Sequence, residues 1–191
     1  FERRRRLLPR KEVLPDLYFV ERLVAKRKVG KETQFLVKWE NYGPEEITWE
    51  PVQHLPDMAV STFENPPQLD PEWISEARKR LALILERGLK SNRTTDVTVE
   101  FRHILLRHLF PRLPSHLSST PFLATKEDFV GAGLEGYIER FVTVTGGRRQ
   151  VMFPVLIKPQ LGRAPVFLTA DGDPAPTRQL EKVKISFNKS C

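Results

Sequence analysis

Three short runs of β-branched and aromatic residues, separated by turn residues, occupy positions 18–51 of this 191-residue chain. From 18 to 29 the pattern alternates, with Tyr18, Val20, Arg22 and Val24 on one side and Phe19, Glu21 and Leu23 on the other. Alternation of period two is the mark of a strand that buries one face. Gly30 offers a turn and residues 33–39 form a second β-rich run, so the two predict a hairpin. Asn41-Tyr42-Gly43-Pro44 is loop chemistry, residues 47–50 predict a short third strand, and residues 55–64 predict one short helix halted before Pro66-Pro67.

The aromatics of this stretch constrain function as well as fold. Tyr18, Trp39 and Tyr42 are placed to face one pocket, with the acidic Glu46 beside them. That set suits a ligand side chain that is bulky, apolar on its outside and positively charged. A methylated lysine is such a group: its methyls are poorly solvated, and aromatic faces attract the cation through their quadrupole. The pattern points to binding.

Beyond residue 65 the organisation changes. Asp70 is a good N-cap, Pro71 fits the first helical position and Glu72 complements the helix dipole. Trp73 or Ile74, then Ala77, Leu81, Ile84 and Leu85 recur at helical spacing, with Gly88 as the expected end. Trp73 is expected in core packing. A second helix is predicted over residues 98–110, with Phe101, Ile104, Leu105 and Leu109 as its stripe and Pro111 as its stop. Residues 111–124 read as a connection. Gly146-Gly147 separates predicted strands 137–145 and 149–157, a hairpin signal, and Pro154 argues that the second strand is an edge. Residues 166–169 and 183–187 add two candidate strands. Asp171-Gly172-Asp173 reads as a turn, since the spacing of a calcium loop is missing.

The whole predicts an α+β chain. A basic arm (1–16) comes first, then a small three-stranded module closed by a helix (17–65), a linker and helix (66–90), and a second strand-rich α+β part (91–191). No internal repeat is visible. Charge follows this division. Residues 1–16 carry six basic and three acidic groups, residues 17–89 ten and twelve, and residues 90–191 fifteen and nine. The aromatic module is thus the acidic part of a chain whose net charge is +7, which suits a basic peptide there. The run Arg3, Arg4, Arg5 and Arg6 offers contact to DNA or RNA phosphates.

Several classes are argued against. No apolar run approaches the ~20 residues that cross a bilayer, so no membrane partner is expected. The single cysteine, Cys191, rules out a disulfide within the stretch and suits a reducing compartment. The chain opens on Phe1 and reads as a piece of a longer protein. His54, His103, His108 and His116 lack metal-ligand spacing, and no phosphate loop or nucleophile elbow appears. No catalytic residue, cofactor or metal is expected in these residues.

Residues 17–64 resemble a chromodomain. The matching pieces are Tyr18-Phe19-Val20-Glu21, Phe35-Leu36-Val37-Lys38-Trp39, Tyr42 and Thr48-Trp49-Glu50-Pro51, in that family's order and spacing. The resemblance implies a curved three-stranded sheet with a C-terminal helix. It also implies that a histone-tail peptide adds as a further strand, its methyl-lysine entering a cage of Tyr18, Trp39 and Tyr42 bordered by Glu46. Leu17, Phe19, Val20, Glu21 and Glu50 with His54, Pro56 and Asp57 would supply the flanking walls. Trp49 is expected in the core. Glu40-Asn41 stands where the family usually has Lys-Gly, which should alter the loop surface rather than the cage. Leu17 and Pro56 replace the acidic pair of heterochromatin protein 1; that closure, with His54 and Asp57, is nearer the Polycomb type, while Glu46 is nearer the heterochromatin type. A tail carrying Ala-Arg-Lys-Ser of histone H3 suits both.

The resulting expectation is a nuclear, chromatin-associated histone reader involved in silencing, with residues 70–191 as scaffold, partner or homodimer surface. A targeting fragment of a larger chromatin-modifying enzyme or integrase is the second reading. A nucleic-acid-binding protein is the third.

Overall fold

The structure, a computed structural model, describes residues 18–43, 46–93, 95–163 and 179–190, with only the backbone of 95, 179 and 180. Arg3, Arg4, Arg5, Arg6, Leu17, the 166–169 run, Asp171-Gly172-Asp173 and Cys191 lie outside the described residues. The architecture is α+β, as expected.

Strands β1 (Val20–Val29), β2 (Glu32–Trp39) and β3 (Thr48–Pro51) form an antiparallel sheet in that order. The β1–β2 hairpin turns at Gly30, whose φ of +61° is a conformation glycine adopts without a Cβ penalty. A 3-10 turn (Val52–His54) leads into helix α1 (Asp57–Glu64). Strict alternation along β1 is broken by register shifts between Val20 and Arg22 and between Leu23 and Ala25. Bulges of this kind re-aim side chains. In consequence Leu23, Val24 and Ala25 are all buried, Leu23 with Phe35, Val37, Leu55 and Phe63, and Val24 and Ala25 with Leu36 on the opposite face. Trp49, expected in the core, is half-buried against that second cluster, with the Arg27 guanidinium 4.1 Å from its ring centroid.

Helix α2 (Pro71–Lys90) starts where its signals place it: the Asp70 side chain accepts from Glu72 N, and Pro71 sits in the first turn. It runs past the expected stop. Gly88 is buried inside the helix and the chain leaves at Ser91, whose N–H bonds Arg87 and Gly88 carbonyls. The buried stripe is Ala77, Leu81, Ala82, Ile84, Leu85 and Leu89. Trp73 is not in the core; it is 53% exposed.

Helix α2 packs on a second antiparallel sheet, β4 (Thr95–Glu100), β8 (Gln179–Ser190), β7 (Gly147–Arg163) and β5 (Phe122–Ala124) in spatial order, with β6 (Val142–Val144) also paired to β7. Helices α3 (His103–Leu109), α4 (Lys126–Gly131) and α5 (Glu135–Ile138) complete this body. Three expectations are corrected here. The predicted helix over 98–110 is strand β4 followed by the shorter α3, because the alternating Val97 and Val99 pair with Ile185 and Val183 of β8. The predicted strand 137–145 is the short α5 and then β6, whose hairpin to β7 turns at Thr145-Gly146, Val144 pairing with Gly147. Pro154 lies inside a strand with neighbours on both sides; the β7–β8 register breaks between Met152 and Leu156, so its missing N–H interrupts no ladder. Residues 183–187 fall within β8, as expected.

The two bodies touch along one seam. Leu117 and Leu161 cover the Val24, Ala25 and Leu36 cluster. Leu117 N donates to Lys26 O at 2.7 Å, and His116 bridges to Lys26 of β1. Arg107 of α3 donates to the Phe63 carbonyl at 2.8 Å and lays its guanidinium 4.2 Å from the Phe63 ring centroid. Burial pulls this guanidinium below its ordinary pKa, and Glu64 and Glu181 oppose that.

Candidate aromatic binding site

Three stretches of chain bring the rings together. Tyr18 lies two residues ahead of the start of β1, Trp39 ends β2 and Tyr42 lies in the loop beyond. The ladder pairs Val20 with Trp39, and Glu40 N donates to Phe19 O at 2.8 Å, so the start of β1 is held against the end of β2. Asn41 then takes a φ of +66°, which asparagine tolerates better than most residues, and the chain doubles back with Tyr42 N on Trp39 O. The departure at Glu40-Asn41 therefore leaves the turn intact. The result places the Tyr18 ring 5.9 Å from Trp39 at 60° and 5.7 Å from Tyr42 at 52°. Tyr18 is 57% exposed and Tyr42 38%, while Trp39 is half-buried. Clustered aromatic faces left open to water offer a site for a poorly hydrated cation.

Two braces hold the rings, and neither was foreseen. The Trp39 indole N–H donates to the Thr48 hydroxyl at 3.0 Å, and that hydroxyl donates to Glu50 at 2.7 Å. The indole plane is thus set by β3. Lys38 donates to Glu21 at 2.8 Å, to the Trp39 carbonyl at 2.8 Å and to the Tyr42 carbonyl at 2.6 Å, pinning the loop. Thr48 pairs with Val37 in the β2–β3 ladder, and nothing in the sequence marks its hydroxyl as the partner of the Trp39 indole. Lys38 gave no signal either, because two of its three partners are backbone carbonyls of a turn.

The expected acidic neighbour is tied to the same loop. Glu46 accepts from the Gly43 N–H at 3.0 Å, and its own N–H reaches the Gly43 carbonyl. Among the wall residues, Phe19, Val20, Glu21 and Pro56 line one groove of about 500 Å³, with Met58 and Ala59 of α1 opposite the β1 edge. Glu50 and His54 stand apart from it: Glu50 serves the Thr48 brace, and His54 Nδ1 lies 3.9 Å from the second Glu50 oxygen. Asp57 opens α1, where its charge complements the helix dipole. No group of three His, Cys, Asp or Glu side chains among the described residues is arranged to hold a metal ion. No described helix is long and apolar enough to cross a membrane.

Comparison with known proteins agrees with this geometry. Residues 18–65 match the family model of the Chromo (chromatin organisation modifier) domain. Chromatin-associated protein SWI6 of Cryptococcus neoformans var. grubii is 48% identical over 42 residues, 22% of this chain and 19% of that protein. Chromodomain Y-like protein 2 of Mus musculus is 54% identical over 41 residues, 21% of this chain and 8% of that protein. DNA (cytosine-5)-methyltransferase 3 of Zea mays is 39% identical over 74 residues, 37% of this chain and 7% of that protein. The chain matches less than a fifth of the length of each of these relatives. The segment 18–65 is a chromodomain, a chromatin-directed module.

Proposed function

We propose, from the premise that residues 18–65 form a chromodomain, that this module reads a methylated lysine on a histone H3 tail. The observation that supports this most directly is the Tyr18, Trp39 and Tyr42 cluster, open to solvent and braced from behind. The tail would add as a strand against β1, main-chain bonds supplying affinity and pockets for alternate side chains supplying choice. Glu46 would border the cation, and Phe19, Val20, Glu21 and Pro56 would flank the peptide. The cage contributes ~1–2 kcal/mol beyond burial, the range of desolvated cation–π contacts. That separates methylated from bare lysine while leaving affinity modest.

On this reading the protein is nuclear, associated with silent chromatin, and acts by binding rather than catalysis. Residues 70–191 supply scaffold or partner surface, and Arg3, Arg4, Arg5 and Arg6 supply phosphate contact. One observation favours a second reading: a maize DNA methyltransferase carries a similar stretch, which fits a targeting role within a larger chromatin-modifying enzyme.

Calorimetric titration with unmodified and trimethylated H3 tail peptides tests the proposal, in the intact chain and in Trp39→Ala. Methyl-dependent binding that disappears in Trp39→Ala, with the circular dichroism spectrum unchanged, is the expected result. Methyl-dependent binding retained in the variant would sink the cage assignment.

A further inference from the structure

The groove beside the rings does not end with the small module. Its near walls are the β1 edge and α1; its far wall comes from the second body, with Trp73 of α2, Arg102 ahead of α3, Arg107 of α3 and Glu181 of β8. A second cavity of about 360 Å³ opens at the same Trp73 and Arg102. The Arg102 guanidinium stands 5.6 Å from the Trp73 ring centroid. Trp73 is 53% exposed and Met58 80%, so two large apolar side chains border this passage without contributing to a core.

We propose that a peptide captured at the rings continues through this junction, with Trp73 and Arg102 forming a distal subsite for the same chain. The inference rests on the methyl-lysine reading above and extends it. Three observations lead to it.

The first is length. A strand advances about 3.3 Å per residue, so a peptide laid along β1 from Tyr18 to Val24 covers roughly 20 Å and six residue steps. At that point it stands where the second body begins.

The second is obstruction. Among the described residues, nothing pairs with the outer edge of β1 before Lys26, where His116 and Leu117 of the second body occupy it. An added strand cannot follow β1 further and must leave through the junction.

The third is chemistry. Glu181 has a side chain only 13% exposed, with Arg22 3.9 Å away at the limit of an ion pair and the Arg107 guanidinium within electrostatic reach. The exposed Arg102 guanidinium offers donors to peptide carbonyls, and the indole offers a face to an aliphatic stem.

The experiment uses three synthetic H3 tail peptides sharing Ala-Arg-trimethyl-Lys-Ser. One is a core of about six residues, and the others extend it by about eight residues on the N-terminal or the C-terminal side, enough to pass Lys26. One extended peptide is expected to bind about tenfold more tightly than the core, a difference of about 1.4 kcal/mol. Trp73→Ala should abolish that gain and leave the affinity of the core unchanged, and Arg102→Gln should do the same in part. Equal affinity of all three with methyl dependence intact, or a gain that survives both variants, would overturn the inference and spare the cage. Absence of methyl-dependent binding at every length would remove the cage reading, and this inference with it.

Discussion

The two bodies of this molecule keep their side chains in opposite ways. Among the described residues, the second body gathers twenty-two buried ones from helices and sheet into one continuous core. The chromodomain has two small clusters on opposite faces of its sheet, five described residues on one and three on the other. Domains this small bury a modest share of their surface and are correspondingly marginal. Here the three-residue cluster is roofed by Leu117 and Leu161 of the larger body. The small sheet can leave Tyr18, Phe19 and Tyr42 in water because part of its own burial is supplied from outside. One body is built for stability and lends some of it to a body built for exposure.

If the loan is real, damage to the large core must reach the small sheet. Leu106, fully buried in α3, touches no ring of the binding site. Leu106→Ala should cost about 2–5 kcal/mol, the range for a large-to-small change in a packed core. Denaturation followed both by far-ultraviolet circular dichroism and by tryptophan fluorescence should show one transition, moved to lower denaturant for both probes. Two separate transitions, with only the second body displaced, would show that the chromodomain stands alone.

A sharper cut falls at the seam itself. Arg107 bonds the Phe63 carbonyl and stacks on the Phe63 ring at once, an arrangement that needs a planar fork. Arg107→Lys keeps the charge and loses the combination. The expected cost is about 1 kcal/mol, near the net worth of one such hydrogen bond. Hydrogen exchange should locate the loss in α1, whose residues line the groove, rather than in the core of the second body. An unchanged exchange rate in α1 would mean that the contact holds nothing in place.

The same contrast explains what the sequence alone made legible. The chromodomain was readable because its signals are local: aromatic and β-branched runs, a turn glycine, and four motif pieces in fixed order. The start of α2 was readable for the same reason, through Asp70 and Pro71. Strand β4 was not, because what makes it a strand is pairing with β8, some eighty residues away, and that partner leaves no mark near Val97 or Val99. Trp73 misled because the stripe of α2 runs through Ile74, Ala77 and Leu81, which leaves the adjacent position outside the core. The clustering of Tyr18, Trp39 and Tyr42 was legible; the braces behind them were not. Lys38 acts on turn carbonyls, and Glu50 acts on Trp39 through Thr48, so neither role follows from residue type and spacing.

The smallest expected effect gives the control for the comparison. Asp96 of β4 lies on the open face of the second sheet, 2.7 Å from the Lys184 ammonium. The hydrogen bond from Lys184, and then one from Ser186, hold its carboxyl below the usual value. A depressed carboxylate stabilises the fold at pH values above its unfolded pKa, ~3.9, and that contribution is lost as pH falls through the folded value. Because the group is exposed and screened by solvent, the gain is small. Asp96→Asn should therefore lower the melting temperature slightly at pH 7, and the two proteins should converge in acid, once the pH has fallen below the lowered pKa of the native carboxyl. Peptide affinity at the rings should not move, since Asp96 takes no part in the seam. If Asp96→Asn weakens peptide binding, coupling between the bodies is not confined to the contacts of the seam, and the sheet as a whole transmits it.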